Sequence, residues 1–401
     1  MDLEKIKNDF PLLNKRIKNK PIVYFDSACM SLKPKPVIEA MNEYYYNYPA
    51  CAGRSHHQLG EIVTKKIKEA RRTVAKFINA DEREVIFTRN TTEGINLLAN
   101  SLNLRSGDLV LTTDKEHNSN LVPWLSMVRK KGIRHMVVKS KVGGLFDIEK
   151  YKELVKGAKL VSMVYTSNLD GTTIPAKEVI RIAHENGTLV FLDVAQSVAH
   201  QKIDVKKLDV DFIAFSGHKI LGPTGTGIFY GKYELLEKLE PFLVGGATVE
   251  SSIYDGYEML KAPEKFEAGL QDYAGIIGLG EAVKYLESIG YDNIKEQELK
   301  INSYITNELA RWPQIKIIGP LDPALRTSII SFYIEGVDMH RISLMLDNMA
   351  NVMIRSGQHC VHSWFNDKKI FNSARISLYF YNTMDEAKIF VESFDKIMKI
   401  M

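Results

Sequence analysis

Six short apolar runs between residues 85 and 215 constrain this chain more than any other feature. They are Val85-Ile86-Phe87, Leu109-Val110-Leu111, Met136-Val137-Val138, Leu160-Val161-Ser162-Met163-Val164, Leu189-Val190-Phe191-Leu192 and Phe212-Ile213-Ala214-Phe215. Near-continuous runs of this length, rich in β-branched residues, read as strands buried on both faces. Most are separated by helical stretches. One stretch runs from Pro175 to Asn186, with Gly187 placed to close it. Upstream, Val63, Ile67, Ala70, Val74 and Phe77 step by 4, 3, 4 and 3, one face of a helix. Strands alternating with helices imply βαβ units, so the expected class is α/β with a mainly parallel sheet.

After about residue 290 the texture changes. A long amphipathic helix is expected from near Asn293. Strands are expected at Ile315–Ile318, Ser328–Tyr333, Val352–Ile354 and Ile376–Leu378, and a closing helix from about Met384. Helices segregated from fewer strands indicate a smaller α+β domain. The expected division is a large domain over 21–290 and a small one over 291–401, with 1–20 packing on the small one. Two domains suit a length of 401 residues.

Charge and cysteine content remove several function classes. The net charge of +4 is spread over many Lys and Glu residues with no basic stripe, which argues against nucleic acid. Three widely spaced cysteines, Cys29, Cys51 and Cys360, form neither a disulfide framework nor a zinc site, so no metal is expected. The start, Met1-Asp-Leu-Glu-Lys, lacks the pattern of a signal peptide. No apolar run approaches the roughly 18 residues that cross a bilayer. A cytoplasmic protein without membrane attachment is expected. Its thiols then stay free, and each can be weighed as a nucleophile.

Four polar features stand at strand ends. Lys219 follows the last apolar run, in Ser216-Gly-His-Lys219, ahead of Gly222-Pro-Thr-Gly-Thr-Gly227. Those glycines resemble a nucleotide-binding loop, but Ile228 stands where that loop needs Lys, so a turn and a strand explain them better. Asp193 ends another apolar run, where a lone carboxylate must find a partner. It can cap the next helix or pair with a pyridinium nitrogen, keeping such a ring protonated as an electron sink. Thr91 and Thr92 open a helix after Asn90, with Glu93 at capping-box spacing. Free N–H groups and two hydroxyls make that end either a plain cap or a phosphate cradle. His117 also follows a strand, where it can be structural or can stack on a planar cofactor and move protons.

In this order, cradle, His, Asp and Ser-x-His-Lys, the sequence resembles fold-type I enzymes that use pyridoxal 5′-phosphate (PLP), within the class V aminotransferase family. Tyr24-Phe-Asp-Ser-Ala28, Glu116-His-Asn-Ser-Asn120, Phe266-Glu-Ala-Gly269 and Arg375-Ile-Ser-Leu-Tyr-Phe-Tyr-Asn382 match the same pattern. Ile354-Arg-Ser-Gly-Gln-His-Cys360 narrows the resemblance to Suf-type (group II) cysteine desulfurases. Lys219 is implied to carry PLP, and Asp193, Gln196, Thr91, Thr92, His117, Ser216 and His218 to hold it. Arg375 is implied to clamp a substrate carboxylate, helped by Asn168 and Arg355, with His57 and Ala28 nearby. Cys360 is implied to take the sulfur of L-cysteine as a persulfide, leaving alanine. His359 and Arg355 are expected to favour its thiolate, and its loop is expected to be exposed. Lys219 and His117 would transfer protons.

The resemblance further implies a homodimer and a sulfur-acceptor protein, such as an iron–sulfur cluster scaffold or carrier. Leu270 departs from it, standing where a Thr commonly reaches the partner's phosphate site. So do Gln358, where His is common, and Leu169-Asp170 beside Asn168. A selenocysteine lyase or other β-eliminating enzyme would use the same scaffold with less need of Cys360. An aminotransferase would need a keto-acid acceptor and no cysteine. A non-catalytic sulfur-relay scaffold would not need the intact Lys219, Asp193 and Arg375.

Overall fold

The computed structural model describes residues 2–400. All six apolar runs lie in one seven-stranded sheet. Its strands are β1 Val85–Thr88, β2 Leu109–Thr113, β3 Arg134–Val138, β4 Ala158–Val164, β5 Leu189–Asp193, β6 Phe212–Ser216 and β7 Gly227–Gly231. Their order across the sheet is β1-β7-β6-β5-β4-β2-β3. Only β7 runs against the rest, antiparallel to β1 and β6, while all other pairs are parallel.

Side chains alternate between the two faces of a strand, which is why nearly every position in these runs is apolar. Phe87, Leu111, Met163, Leu192, Phe215 and Tyr230 enter one buried cluster. Their neighbours Ile86, Val110, Phe191, Ala214 and Phe229 enter another. β3 departs from the expectation of burial on both faces. It is the edge strand, and its Met136 and Val137 are exposed.

Helices cover both faces. Helix α1 spans Leu3–Asp9, α2 Gln58–Ile78, α3 Thr91–Ser101, α4 Asn118–Lys131, α5 Ala176–Glu185 and α6 Tyr273–Ile289. The expected face of α2 is the buried one, through Val63, Ala70, Val74 and Phe77. α5 ends where expected, with Gly187 at φ 68 beyond Asn186.

A buried ion pair joins α2 to the sheet. Arg71 Nη1 and Nη2 donate to Glu267 Oε1 and Oε2 at 2.8 and 2.7 Å. Oε1 also accepts from Phe87 N–H at 2.8 Å, and Arg71 Nη1 reaches the Val85 carbonyl at 2.6 Å. Removing one partner would strand the other charge in the interior, at a cost of about 3–5 kcal/mol. Glu267→Ala should therefore shift the urea unfolding midpoint strongly downward. Glu153→Ala, which breaks the exposed Lys150–Glu153 pair, should leave the midpoint in place.

The C-terminal region has its own sheet, β8 Ile315–Ile317, β9 Ile329–Ile334, β10 Arg355–Gly357 and β11 Ser373–Ser377, antiparallel in the order β8-β9-β11-β10. Helices α7 Tyr291–Leu309, α8 His362–Lys368 and α9 Met384–Ile400 accompany it. α7 starts at Tyr291 rather than Asn293, because Gly290 at φ 80 separates it from α6. The Val352–Met353 segment does not join the small sheet as expected; it pairs parallel with Val23–Tyr24. Ile330, Phe332 and Ile376 meet Ile301, Ile305, Phe390 and Phe394 in a second core.

α1 touches both regions. Its neighbour Phe10 packs on Tyr285 of α6 and on Tyr381, and Lys7 pairs with Glu386 of α9. Among the described residues, no helix is long and apolar enough to cross a membrane.

Candidate active site

Parallel pairing brings the carboxyl ends of β2, β4, β5 and β6 to one edge of the sheet, and β1 joins them because it and β6 are both antiparallel to β7. That edge is where open α/β sheets bind ligands. Asn90, His117, Asn168, Asp193 and Lys219 leave it on separate loops and line one cavity of about 250 Å³. All the expected site residues line it except His57 and Cys360.

The N-terminus of α3 forms one wall. Asn90 Oδ1 accepts from Glu93 N–H at 3.0 Å, so the cap is present. The expected box is not closed, because the Glu93 carboxylate takes Arg89 N–H instead of Asn90 N–H. Ser216 Oγ, at the end of β6, accepts from Thr91 N–H at 2.9 Å and lies 2.7 Å from Thr91 Oγ1. Thr92 Oγ1 meets Ser119 Oγ at 2.7 Å. Gly227 makes this approach possible, since a Cβ there would lie 2.6 Å from Asn90 Cα. Hydroxyls gathered at a helix N-terminus form a seat for an anion.

His117 is the cap of α4. Its Nδ1 accepts from Ser119 N–H at 3.1 Å, which leaves the proton of the neutral ring on Nε2. Burial, then Lys219, Arg375 and Arg355, lower its pKa to about 3. An unfolded histidine titrates near 6.5. The unfolded chain therefore takes up this proton first as pH falls, and stability present above about pH 6.5 is lost toward pH 3. His117→Asn keeps a good cap and removes the ring. Relative to that variant, the cofactor-free chain should lose about 2 kcal/mol between pH 7 and pH 4.5. Urea midpoints of the two proteins measure this; a constant difference would mean that the ring titrates in the folded chain as it does in the unfolded one.

Lys219 ends a single turn, Gly217–Lys219, that follows β6. The carbonyl before it, on His218, accepts from Ser31 N–H at 3.0 Å, Ser31 Oγ at 2.9 Å and Lys33 Nζ at 2.9 Å, which fixes the turn. Burial pushes the Lys219 pKa down and Asp193 opposes it. Burial likewise raises the pKa of Asp193 and Lys219 opposes it. Asp193 does not cap the following helix. Its Oδ1 accepts from Ala195 N–H at 2.9 Å, and Gln196 at the cap position makes no side-chain bond there. Gln196 Nε2 donates to the Ala28 carbonyl at 2.8 Å.

Arg375 is buried on β11. Its Nη1 donates to the Asn168 carbonyl at 3.0 Å, its Nη2 lies 3.4 Å from Asp26 Oδ1, and its Nε has no partner among the described residues. Asn168 Oδ1 is likewise buried and unpartnered. Orphaned polar atoms beside a cavity mark where a polar ligand would be satisfied. The Asn168 Nδ2 is committed elsewhere, to the His359 carbonyl at 2.8 Å.

Around Cys360 the structure corrects two expectations. The loop is not freely exposed. Cys360 is half-buried, its carbonyl accepts from Asn118 N–H at 2.7 Å, and His359 is only 3% exposed. His359 brings no charge to the thiol. Burial, then Arg375 and Arg355, hold its pKa well below the usual range, and its Nε2 meets Ser373 Oγ at 2.8 Å. Arg355 contacts sulfur, donating to Cys29 Sγ at 2.9 Å and to Cys360 Sγ at 3.7 Å. His359 and Cys360 also hold left-handed φ values of 49° and 60°, which non-glycine residues keep only where surrounding contacts enforce them.

His57 stands apart, exposed at the start of α2, where its Nδ1 accepts from Gly60 N–H at 3.2 Å. Sequence reasoning passed over Asp26 and Ser119 as site residues. The signal for Ser119 lay in the Glu116–Asn120 match, and for Asp26 in its place beside Ala28.

A cavity at the carboxyl edge of a mainly parallel seven-stranded sheet, backed by a small C-terminal α+β region, defines the fold-type I architecture. The chain belongs to the aminotransferase class-V family, which it matches over residues 23–390. It is 38% identical over 399 residues to a probable cysteine desulfurase of Pyrococcus abyssi, covering 99% of this chain and 98% of that protein. The apo cysteine desulfurase of Thermococcus onnurineus NA1 superposes with a TM-score of 0.95 at 36% identity, covering 99% and 98% of the two chains. A cysteine desulfurase of Escherichia coli does so with a TM-score of 0.91 at 31% identity, covering 100% and 99%.

Proposed function

We propose that the chain is a PLP-dependent cysteine desulfurase, which takes sulfur from L-cysteine, leaves L-alanine and keeps the sulfur as a persulfide on Cys360. The observation that carries this reading is Cys360 held by Arg355 next to the cavity that contains Lys219, Asp193 and Arg375.

The donor set fits PLP. The N-terminus of α3 with Ser216 and Thr92 would take the phosphate, Asp193 the ring nitrogen and Lys219 the carbonyl carbon. Gln196 and His218 line the same space, and His117 would stack on the ring. When bound, PLP supplies an electron sink for charge that develops at the substrate Cα. Lys219, its pKa lowered by burial, is the base that takes the Cα proton. Asp193 retains the proton on the ring nitrogen. Arg375 offers its free Nε and one face of its fork to the substrate carboxylate. His117 donates from Nε2, the nitrogen left protonated by its bond with Ser119. Cys360 attacks the substrate sulfur as thiolate, the reactive form of cysteine, and Arg355 holds that sulfur in place.

Three further parts of the reading are the same proposal: division near residue 290, a cytoplasmic setting and a homodimer that passes sulfur to an acceptor protein, such as an iron–sulfur scaffold or carrier. Exposed Val244, Ile253, Tyr254 and Leu270 support a partner subunit. Incubation with L-cysteine, with alanine quantified and Cys360-bound sulfur located by peptide mass, tests the central claim. Alanine and sulfide without sulfur on Cys360 would mean β-elimination instead.

A further inference from the structure

We propose that Cys29 is a second sulfur acceptor within this chain, loaded from the persulfide on Cys360. The inference rests on the desulfurase reading and extends it by one step.

The two sulfurs share one guanidinium. Arg355 Nη1 donates to Cys29 Sγ at 2.9 Å and its Nη2 to Cys360 Sγ at 3.7 Å. A guanidinium carries donors only, in a rigid planar fork, so both sulfurs are on the accepting side of one fixed group. That is the arrangement in which cysteine serves as a nucleophile or a leaving group. Both thiols are free, and Cys29 makes no other side-chain hydrogen bond among the described residues. Its backbone is pinned, with Cys29 N–H on the Asp26 carbonyl at 3.1 Å and Ala28 N–H on Ser377 Oγ at 3.0 Å. The Asn118 bond pins Cys360 in the same way. Cys29 lines the cavity, close enough to Lys219 and Arg375 to oppose the lowering of their pKa values. The third thiol, Cys51, lies against Tyr273 at 3.8 Å and takes no part.

A persulfide extends Cys360 by one S–S bond of about 2.05 Å, into the space that Arg355 spans. The Cys29 thiolate attacks the outer sulfur of Cys360–S–SH. A Cys29–S bond forms as the S–S bond to Cys360 breaks, the proton travels with the moving sulfur, and Cys360 leaves as thiolate with the electron pair. No external oxidant or reductant is consumed. Arg355 stabilises the thiolate at the start and at the end. Cys360 is then free to take another sulfur, so the chain stores two before any acceptor arrives.

The test uses full-length PLP-loaded enzyme with excess L-cysteine and no reductant. Alanine formed in the first burst is counted, and sulfur is located by alkylation and peptide mass. The expected result is sulfur on both Cys360 and Cys29, with a burst about twice that of Cys29→Ser. Cys360→Ser should leave Cys29 bare. The proposal is overturned if wild-type chains carry sulfur on Cys360 beside an unmodified Cys29, a readout that needs no variant. It is equally overturned if Cys29 gains sulfur in Cys360→Ser, or if a Cys29–Cys360 disulfide forms with release of sulfide. No alanine at all would instead overturn the desulfurase reading, and the relay with it.

Discussion

Lys219→Ala should abolish the visible absorbance of bound PLP and lower cysteine turnover by more than about 10³-fold, with the fold intact. On the proposed reading two roles fall on one amine: it would attach the cofactor and take the Cα proton. Positioned proton transfer is worth about 10²–10⁴-fold, and loss of attachment adds to it. The side chain is not a structural prop. Its backbone turn is held by Ser31 and Lys33 through the His218 carbonyl, not by the amine. A small primary amine added to the solution should restore part of the turnover. Turnover within tenfold of wild type would remove Lys219 from the chemistry.

Cys360→Ser should keep the absorbance of bound PLP and the affinity for L-cysteine, while sulfur transfer falls by at least about 10²-fold. The effect follows from the atom exchanged. A hydroxyl is a poor nucleophile toward sulfur at neutral pH, whereas a thiol can supply the thiolate that attacks sulfur. The proposed carboxylate clamp, Arg375, lies on β11 and Cys360 in the turn after β10, so binding and transfer should separate: KM near wild type, kcat lost. Arg355 and the bonds from Asn118 and Asn168 keep the loop where it is. A Ser variant that still turned over cysteine at the normal rate would assign the reaction to β-elimination. It would also withdraw the Cys29 relay, which has no source of sulfur without Cys360.

Much of the scaffold could be read directly from residue order. The apolar runs became strands because burial on both faces of a parallel sheet demands apolar residues at every position, a rule that acts within five residues. The α2 face, the end of α5 at Gly187 and the turn-plus-strand reading of Gly222–Gly227 hold for similarly local reasons. β3 failed the same rule because nothing in its own residues announces that it lies at the edge.

The site divides along the same line. Asp193, Thr91 and His117 each end a strand or open a helix, Lys219 closes the turn just past β6, and the strand directions of the sheet gather these ends at one edge. Cys360 was marked by its motif, yet its surroundings were misjudged. An Arg-Ser-Gly-Gln-His-Cys string looks polar and open, but Asn118, Asn168 and Ser373 close around it from distant parts of the chain. Arg355 was expected beside the Cys360 thiol and does contact it, but its shorter bond to Cys29 was not announced by residue type.

Lys219 as the proposed anchor of a PLP site, and the α/β frame that presents it, were contained in the order of residues, because strand burial and helix capping are short-range and leave periodic traces. The pairing of Cys29 with Cys360 through one guanidinium was not. Those two sulfurs are separated by most of the chain, and only the docking of the second core against the first sheet brings them to the same arginine.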